Sequence, residues 1–236
     1  ALFPPQRRAR MQGQHPPHAA PDPRALYALT VDVGGQAPEG ETAPSEPAWR
    51  DCTACTLFAV HLGEPGDPLA GRACYRVVGR WWWRGLAQAD LYPRLTGLVE
   101  SWWPRYLVVD ATGLGAGLAS FLERRYGPRV LPFTFTVATK SALGWGFLAI
   151  CDTGRFQDHA PDGSPAQAAF WRQVAAAEYQ VLSGPGQQMR WGVWRGDRHD
   201  DLLVSAALCA ALEELPWAGG ESCIVEAPDP LADEGN

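Results

Sequence analysis

Four aspartates of this 236-residue chain stand where an apolar run ends or an apolar helix begins. Asp32 and Asp110 close short apolar runs that are typical of strands, and Asp200 and Asp201 directly precede the apolar stretch 202–212. A carboxylate at the tip of a buried strand is costly unless it binds a cation or accepts hydrogen bonds. Each aspartate alone is better explained as a turn former or a helix cap. Taken together, they predict a metal site.

Ionised carboxylates are acceptor-only groups, and several of them at one point suit Mg²⁺ or Mn²⁺. They cannot all stay ionised there without cations. Two divalent ions about 4 Å apart would neutralise them and bridge a phosphodiester, one activating a water and the other stabilising the leaving 3′ oxygen. We predict Asp32 as the bridging ligand, with Asp110 and either Asp200 or Asp201 completing the set. His199 is the catalytic candidate that would position water or contact the scissile phosphate.

Strands and helices of the predicted fold must carry these residues to one place. Alternating apolar patterns predict strands over 27–33, 53–62 and 72–82, joined as an antiparallel meander. Helical periodicity and turn signals predict the elements that follow: a helix 86–102, a strand 105–110, a helix 115–126, a strand 129–135, helices 139–151 and 164–177, a hairpin of strands 178–183 and 188–194, and a helix 199–214.

Three antiparallel strands, a helix and then parallel strands alternating with helices is the order of a ribonuclease H-like α/β fold, a mixed sheet flanked by helices. The first and fourth strands lie side by side in that arrangement, so Asp32 and Asp110 would be neighbours. The last helix would bring Asp200 and Asp201 over the same spot. Two consecutive helical residues cannot both face one point unless the backbone there is irregular, so the sequence leaves open which of the two aspartates is the ligand.

Composition divides the chain into three parts. Residues 1–24 are rich in Pro, Arg, Gln and His and are predicted to be a linker. Residues 25–215 form the predicted α/β domain, and 46% hydrophobic residues overall are enough for one sizeable core. Residues 216–236 are acidic and contain Pro and Gly, which predicts a disordered tail.

The formal net charge of −6 counts against a protein that grips nucleic acid by electrostatics alone. Lys140 is the only lysine. No apolar run reaches the roughly 18 residues of a membrane span, so no membrane association is expected.

Six cysteines are present, and Cys52 and Cys55 form a C-x-x-C. This pair would be half of a zinc site or a redox pair, but no second pair completes four ligands. Reduced cysteines packed in or near a strand are the favoured explanation, and a cytosolic compartment fits it.

Several segments resemble the nuclease domain of the large terminase subunit of tailed phages, over about residues 25–215. Each acidic motif is weak alone, whereas their order and the pieces between them are more specific. The segments are Leu29-Thr30-Val31-Asp32-Val33-Gly34-Gly35, Leu107-Val108-Val109-Asp110-Ala111-Thr112-Gly113-Leu114-Gly115, His199-Asp200-Asp201-Leu202-Leu203, Lys140-Ser141 and Thr153-Gly154-Arg155-Phe156.

The resemblance implies an Mg²⁺- or Mn²⁺-dependent endonuclease that cuts concatemeric double-stranded DNA in the cytoplasm of a bacterial host. It also implies an ATPase motor domain, a portal and a small terminase subunit as partners. Lys140 and Arg155 are the basic residues that we expect near DNA. No G-x-x-x-x-G-K-[ST] motif occurs, so this chain carries no motor ATPase signature. The Gly-rich stretch 113–117 lacks the lysine of a phosphate loop and indicates a tight turn with close helix packing.

Other functions fit part of the pattern. A Holliday-junction resolvase or transposase core would carry the same acidic residues on the same fold. An actin-like or sugar-kinase ATP-binding domain also begins with a strand followed by Asp-x-Gly-Gly, but it needs a second such domain, which the chain does not repeat. A non-catalytic docking domain is disfavoured by the intact acidic positions.

Overall fold

The computed structural model describes residues 1–34, 52–183, 186–194 and 199–217. Its strands are β1 (Leu26–Asp32), β2 (Cys52–Leu62), β3 (Ala73–Arg84), β4 (Tyr106–Asp110), β5 (Val130–Phe133), β6 (Phe156–Gln157), β7 (Glu178–Val181) and β8 (Met189–Gly192). Its α-helices are α1 (Pro5–Arg10), α2 (Gln88–Trp102), α3 (Gly115–Tyr126), α4 (Val137–Asp152), α5 (Pro165–Ala176) and α6 (Asp201–Ala207), and α6 continues as a 3₁₀ helix over Leu208–Leu212.

Six strands form one mixed sheet in the order β5-β4-β1-β2-β3-β6. The pairs β1–β2 and β2–β3 are antiparallel, as the alternating sequence pattern predicts. The pairs β1–β4 and β4–β5 are parallel, because helical crossovers return the chain to the same end of the sheet. β7 and β8 form a separate antiparallel hairpin. This arrangement confirms the predicted α/β fold class and the adjacency of the first and fourth strands.

Each face of the sheet packs against its own set of helices, because successive side chains of a strand point to opposite faces. Odd-numbered residues of β1, such as Leu29 and Val31, join the core beneath α2 and α3. Even-numbered residues, beginning with Ala28, face the core that α4, α5 and α6 cover. Asp32 is even-numbered and therefore lies on the α6 side.

Residues 1–24, predicted to be a linker, pack on the domain. They contain α1, and Leu2, Phe3 and Met11 are fully buried in the α4–α6 core. The linker prediction overlooked these three apolar residues because they are spread thinly among Pro, Arg and Gln. The two-residue strand β6 was not predicted either.

The domain continues two residues beyond the predicted boundary at 215. Trp217 is buried and packs edge-on against Tyr75 and Tyr106. The remainder of the predicted acidic tail lies outside the described residues. None of the helices in the described ranges has the length and apolar character needed to cross a bilayer.

Candidate metal centre

Strand register brings the first two predicted ligands together. β1 and β4 are parallel, with Val31 opposite Val109, so Asp32 and Asp110 follow that pair at the same level of the sheet. Neighbouring strands lie roughly 4.8 Å apart. Both residues share the side-chain parity of the face that α6 covers, so the two carboxylates lie beside each other at one end of the sheet.

Buried hydroxyl groups fix α6 over this end of the sheet. Thr30 donates a hydrogen bond to the Ser205 backbone oxygen at 2.6 Å, and the hydroxyls of Thr56 and Ser205 lie 2.7 Å apart. All three residues are fully buried. Because Ser205 lies one helical turn after Asp201, these bonds also set the position of Asp201 above β1.

Asp110 is held by the turn that follows it. The Thr112 backbone N–H donates to Oδ1 of Asp110 at 2.8 Å, and the Thr112 hydroxyl accepts a bond from the Phe135 N–H. Gly115 then begins α3, and a Cβ at this position would clash with the Asp110 backbone oxygen. The Gly-rich stretch therefore serves as a tight turn with close helix packing, as its sequence indicates.

Electrostatic repulsion is concentrated on Asp32. Desolvation raises the pKa of Asp32 well above its usual 3.8. The negative charges of the other aspartates raise this pKa further, and Lys140 lowers it; in order of effect the aspartates are Asp201, Asp110 and Asp200. Desolvation also raises the pKa of Asp110, and the hydrogen bond from Thr112 lowers it by a smaller amount. The other three carboxylates are therefore close enough to Asp32 to disfavour its charge, which a cation would relieve.

Asp200 and Asp201 have different surroundings. Asp200 precedes α6 with a non-helical backbone (φ −124°, ψ 12°), and its Oδ2 lies 3.7 Å from Nζ of Lys140. Asp201 exerts the larger effect on Asp32. Because the backbone at Asp200 is irregular, both side chains can approach the same region. Of the two, Asp201 is the stronger candidate ligand and Asp200 the more neutralised group.

His199 lies beside Asp201, with Nδ1 3.5 Å from Oδ2 of that aspartate. Cys52 lies at the start of β2, close to these two residues. One possible ligand atom from each of the three side chains lies within 4.8 Å of the other two. The sequence missed this group, because the C-x-x-C spacing suggested a site shared by Cys52 and Cys55. Their separation of three places them on opposite faces of the strand, and Cys55 is buried in the core beneath α2.

The two predicted DNA contacts have different outcomes. Lys140 lies in the first turn of α4, beside Asp200 and 5.4 Å from the Trp191 ring centre. Arg155 is 6% exposed, pairs with Glu213 at 2.7 Å and donates to the Ala73 backbone oxygen. It lies near Tyr75, at the opposite end of the sheet from Asp32. The prediction for Arg155 is therefore wrong, because its guanidinium stabilises the core and does not face the site.

The donor set fits a hard divalent cation. Asp32, Asp110, Asp200 and Asp201 offer only oxygen ligands, which Mg²⁺ and Mn²⁺ prefer. Asp32 is the candidate central ligand, because the other three aspartates disfavour its charge and a cation would relieve this. The residues present could therefore hold such ions.

Comparison with solved structures places this fold among known ones. The large terminase nuclease of thermophilic phage G20c with bound magnesium superposes with a TM-score of 0.63 and 17% identity, covering 89% of this chain and 96% of that chain. The same nuclease with bound zinc gives 0.57 and 16%, covering 90% and 99%. The large terminase nuclease domain of Thermus phage P74-26 gives 0.62 and 15%, covering 91% and 96%.

No protein-family model matches the chain, and no curated protein matches its sequence. The likeness is therefore one of fold, and this chain has the ribonuclease H-like fold of the large terminase nucleases.

Proposed function

We propose that this chain is a metal-dependent DNA endonuclease domain and that it serves as the nuclease of a viral DNA-packaging terminase. The observation that carries the proposal is the gathering of three carboxylates, from the end of β4 and the start of α6, around Asp32 of β1, whose pKa they raise. A purely structural role would not require four carboxylates so close together. The structural neighbours with bound magnesium and zinc are consistent with metal dependence.

Asp32, Asp110 and Asp201 would hold two Mg²⁺ or Mn²⁺ ions in this mechanism, with Asp200 as the alternative third ligand. When bound, the ions supply an activated water and charge stabilisation at the leaving 3′ oxygen. His199, beside Asp201, would orient the attacking water or contact the scissile phosphate. Thr112 keeps the Asp110 carboxylate in place through its backbone N–H.

The substrate that this site would take is double-stranded DNA in concatemeric form. Lys140 would offer its ammonium group to a phosphate at the edge of the site. The net charge of −6 implies that the domain alone grips DNA weakly. An ATPase motor domain, the portal and the small terminase subunit would then supply most of the grip, in the cytoplasm of an infected bacterium.

Cleavage of supercoiled plasmid tests the proposal. We expect the purified chain to nick or linearise plasmid with Mn²⁺ more readily than with Mg²⁺, and Asp32→Asn or Asp110→Asn to abolish cleavage. Asp67→Asn is the matched control, because Asp67 lies in the turn between β2 and β3 at the far end of the sheet. Gel electrophoresis of the plasmid forms gives the rates.

Cleavage that persists in EDTA would refute the metal mechanism. Hydrolysis of ATP without DNA cleavage would support an actin-like or sugar-kinase function instead. Strong preference for a four-way junction over linear duplex would indicate a resolvase.

A further inference from the structure

Cys52 lies at the site end of the sheet, on the face that α6 covers. Asp32 pairs with Ala54 of β2, and Cys52 precedes Ala54 by two residues, so the two side chains point to the same face. Its side chain is buried, whereas His199 and Asp201 are partly exposed. A thiol, an imidazole and a carboxylate therefore meet at the edge of the acidic site.

The spacing of the three ligand atoms suits one ion. Bonds of about 2.0–2.3 Å from zinc to nitrogen, oxygen and sulfur place tetrahedral ligand atoms roughly 3.5 Å apart. Nδ1 of His199 and Oδ2 of Asp201 are already 3.5 Å apart. The group as a whole spans no more than 4.8 Å, so small side-chain rotations would close it around an ion.

The backbone holds this group in place before any ion arrives. Gly34 passes directly over Cys52, and a Cβ on Gly34 would come within 2.5 Å of the Cys52 backbone. The Gly34 N–H donates to the Thr53 hydroxyl at 3.1 Å, which ties the end of β1 to the start of β2. On the opposite side, the buried bonds of Ser205 fix α6 and hence Asp201.

We infer that Cys52, His199 and Asp201 form a binding site for a borderline divalent cation such as Zn²⁺ or Co²⁺, with a fourth position open to water or another ligand. Thiolate and imidazole select such ions, whereas Mg²⁺ and Mn²⁺ prefer oxygen ligands. The site therefore differs in ligand chemistry from the carboxylate set of Asp32 and Asp110. It shares one residue, Asp201, with that set.

Sharing Asp201 has a consequence that rests on the proposed nuclease function. An ion bound by Cys52 and His199 engages the carboxylate that the Mg²⁺ or Mn²⁺ set also needs. Zn²⁺ at this site would therefore inhibit Mg²⁺-supported cleavage, and the domain would stay inactive until Zn²⁺ leaves.

Cobalt absorption tests the site without any cleavage assay. The whole chain, stripped of metal and kept reduced with a phosphine, is titrated with Co²⁺ while the near-ultraviolet thiolate-to-cobalt charge-transfer band is recorded. We expect the band to saturate at one Co²⁺ per chain and to disappear in Cys52→Ser. Cys74→Ser is the matched control, because Cys74 pairs with His61 at the far end of the sheet and its loss should leave the band unchanged.

His199→Ala provides a second route should Cys52→Ser fail to fold, which circular dichroism would reveal. Loss of one ligand should weaken Co²⁺ binding at least about tenfold. A band that survives in Cys52→Ser, or a wild-type protein without any band, would overturn the assignment.

Failure of the site and failure of the nuclease proposal give different results. Asp110→Asn should lose cleavage and keep the cobalt band, because Asp110 is not one of the three ligands. If no metal supports cleavage but the band forms, the nuclease proposal fails and the cation site stands. If the wild type cleaves DNA, Cys52→Ser should need at least about tenfold more Zn²⁺ for half-inhibition. Equal inhibition of both proteins contradicts the shared-ligand consequence.

Discussion

Asp32 makes the metal-free protein less stable when its carboxyl group ionises. Desolvation raises its pKa above the usual 3.8, so the folded state binds more protons than the unfolded state between these two values. The free energy of unfolding therefore falls as pH rises through that window. Above the raised pKa the whole penalty is present, and below 3.8 it is absent.

Asp32→Asn removes this penalty. In metal-free protein we expect the variant to be more stable than the wild type at about pH 8, by on the order of 1 kcal/mol or more, because a desolvated charge that the neighbouring aspartates repel is gone. The difference should shrink as pH falls towards 3.8. Urea unfolding of both proteins across the pH range measures this difference in the free energy of unfolding. Groups other than Asp32 titrate in both proteins, so their contributions cancel in the difference.

Added Mn²⁺ should make the wild type more stable than Asp32→Asn, since an ion that binds only the folded wild type stabilises it by mass action. An Asn variant that is less stable than the wild type at every pH without metal would show that Asp32 is not a site of repulsion.

Single residues were predictable to different degrees. Asp32 and Asp110 could be identified because a charged residue that ends an apolar strand is unusual in itself. Arg155 follows a Gly in a polar turn, and sequence cannot tell which end of the sheet that turn occupies. Cys52 stood out in the sequence only through its C-x-x-C spacing with Cys55. Its closeness to His199 and Asp201 depends on α6, a contact between distant parts of the chain.

At the scale of elements, the turn from β4 into α3 sets how Asp110 is presented. Gly115→Ala would push a methyl group into the Asp110 backbone oxygen. We expect this overpacking to lower the free energy of unfolding by about 1–3 kcal/mol. Cleavage should fall on the order of a hundredfold, because small displacements of a catalytic group are severe. Thermal unfolding and plasmid cleavage measure the two effects.

Gly117→Ala is the matched control on the same helix. A Cβ at Gly117 meets open space, so the substitution should stabilise α3 by about 0.5–1 kcal/mol and leave cleavage unchanged. If Gly115→Ala and Gly117→Ala have the same stability and the same cleavage rate, the close packing of Gly115 against Asp110 does not control the site.

Long, periodic elements were predicted nearly to their ends. The helix predicted over 115–126 is observed at Gly115–Tyr126, and the strand predicted over 53–62 at Cys52–Leu62. β6 has only two residues and forms by pairing with Tyr75 and Arg76, so it carries no periodicity of its own. The helix predicted over 199–214 changes to 3₁₀ geometry after Ala207, a change that helical spacing alone does not reveal.

At the scale of the whole molecule, the first residues of the chain complete the α4–α6 core. Phe3 packs edge-on against Phe147, and the Leu2 N–H donates to the Ala177 backbone oxygen. Directly after β6, the Asp158 N–H donates to the Met11 backbone oxygen and the Gly13 N–H donates to the Asp158 backbone oxygen. The abundance of Pro, Arg and Gln in residues 1–24 concealed this packing. It depends on a few apolar side chains and on a core surface built from distant parts of the chain.

Phe3→Ala should therefore destabilise the domain by about 3–5 kcal/mol, as loss of a fully buried aromatic ring does. Gln6→Ala, at an exposed position of α1, should change stability by no more than about 0.5 kcal/mol. Urea unfolding compares the two variants with the parent. A Phe3→Ala protein as stable as the parent would restore the view of this segment as a detachable linker.

Lys140 gives the molecule one further property. It is the only lysine in the chain, its side chain is 36% exposed, and its Nζ lies 3.7 Å from Asp200. An isotopic methyl tag directed to amines would therefore mark one side chain, already located beside the acidic site, together with the α-amino group of the first residue. Nuclear magnetic resonance of the Lys140 methyl signal can follow the binding of cations and DNA at the site, and no other side chain is altered.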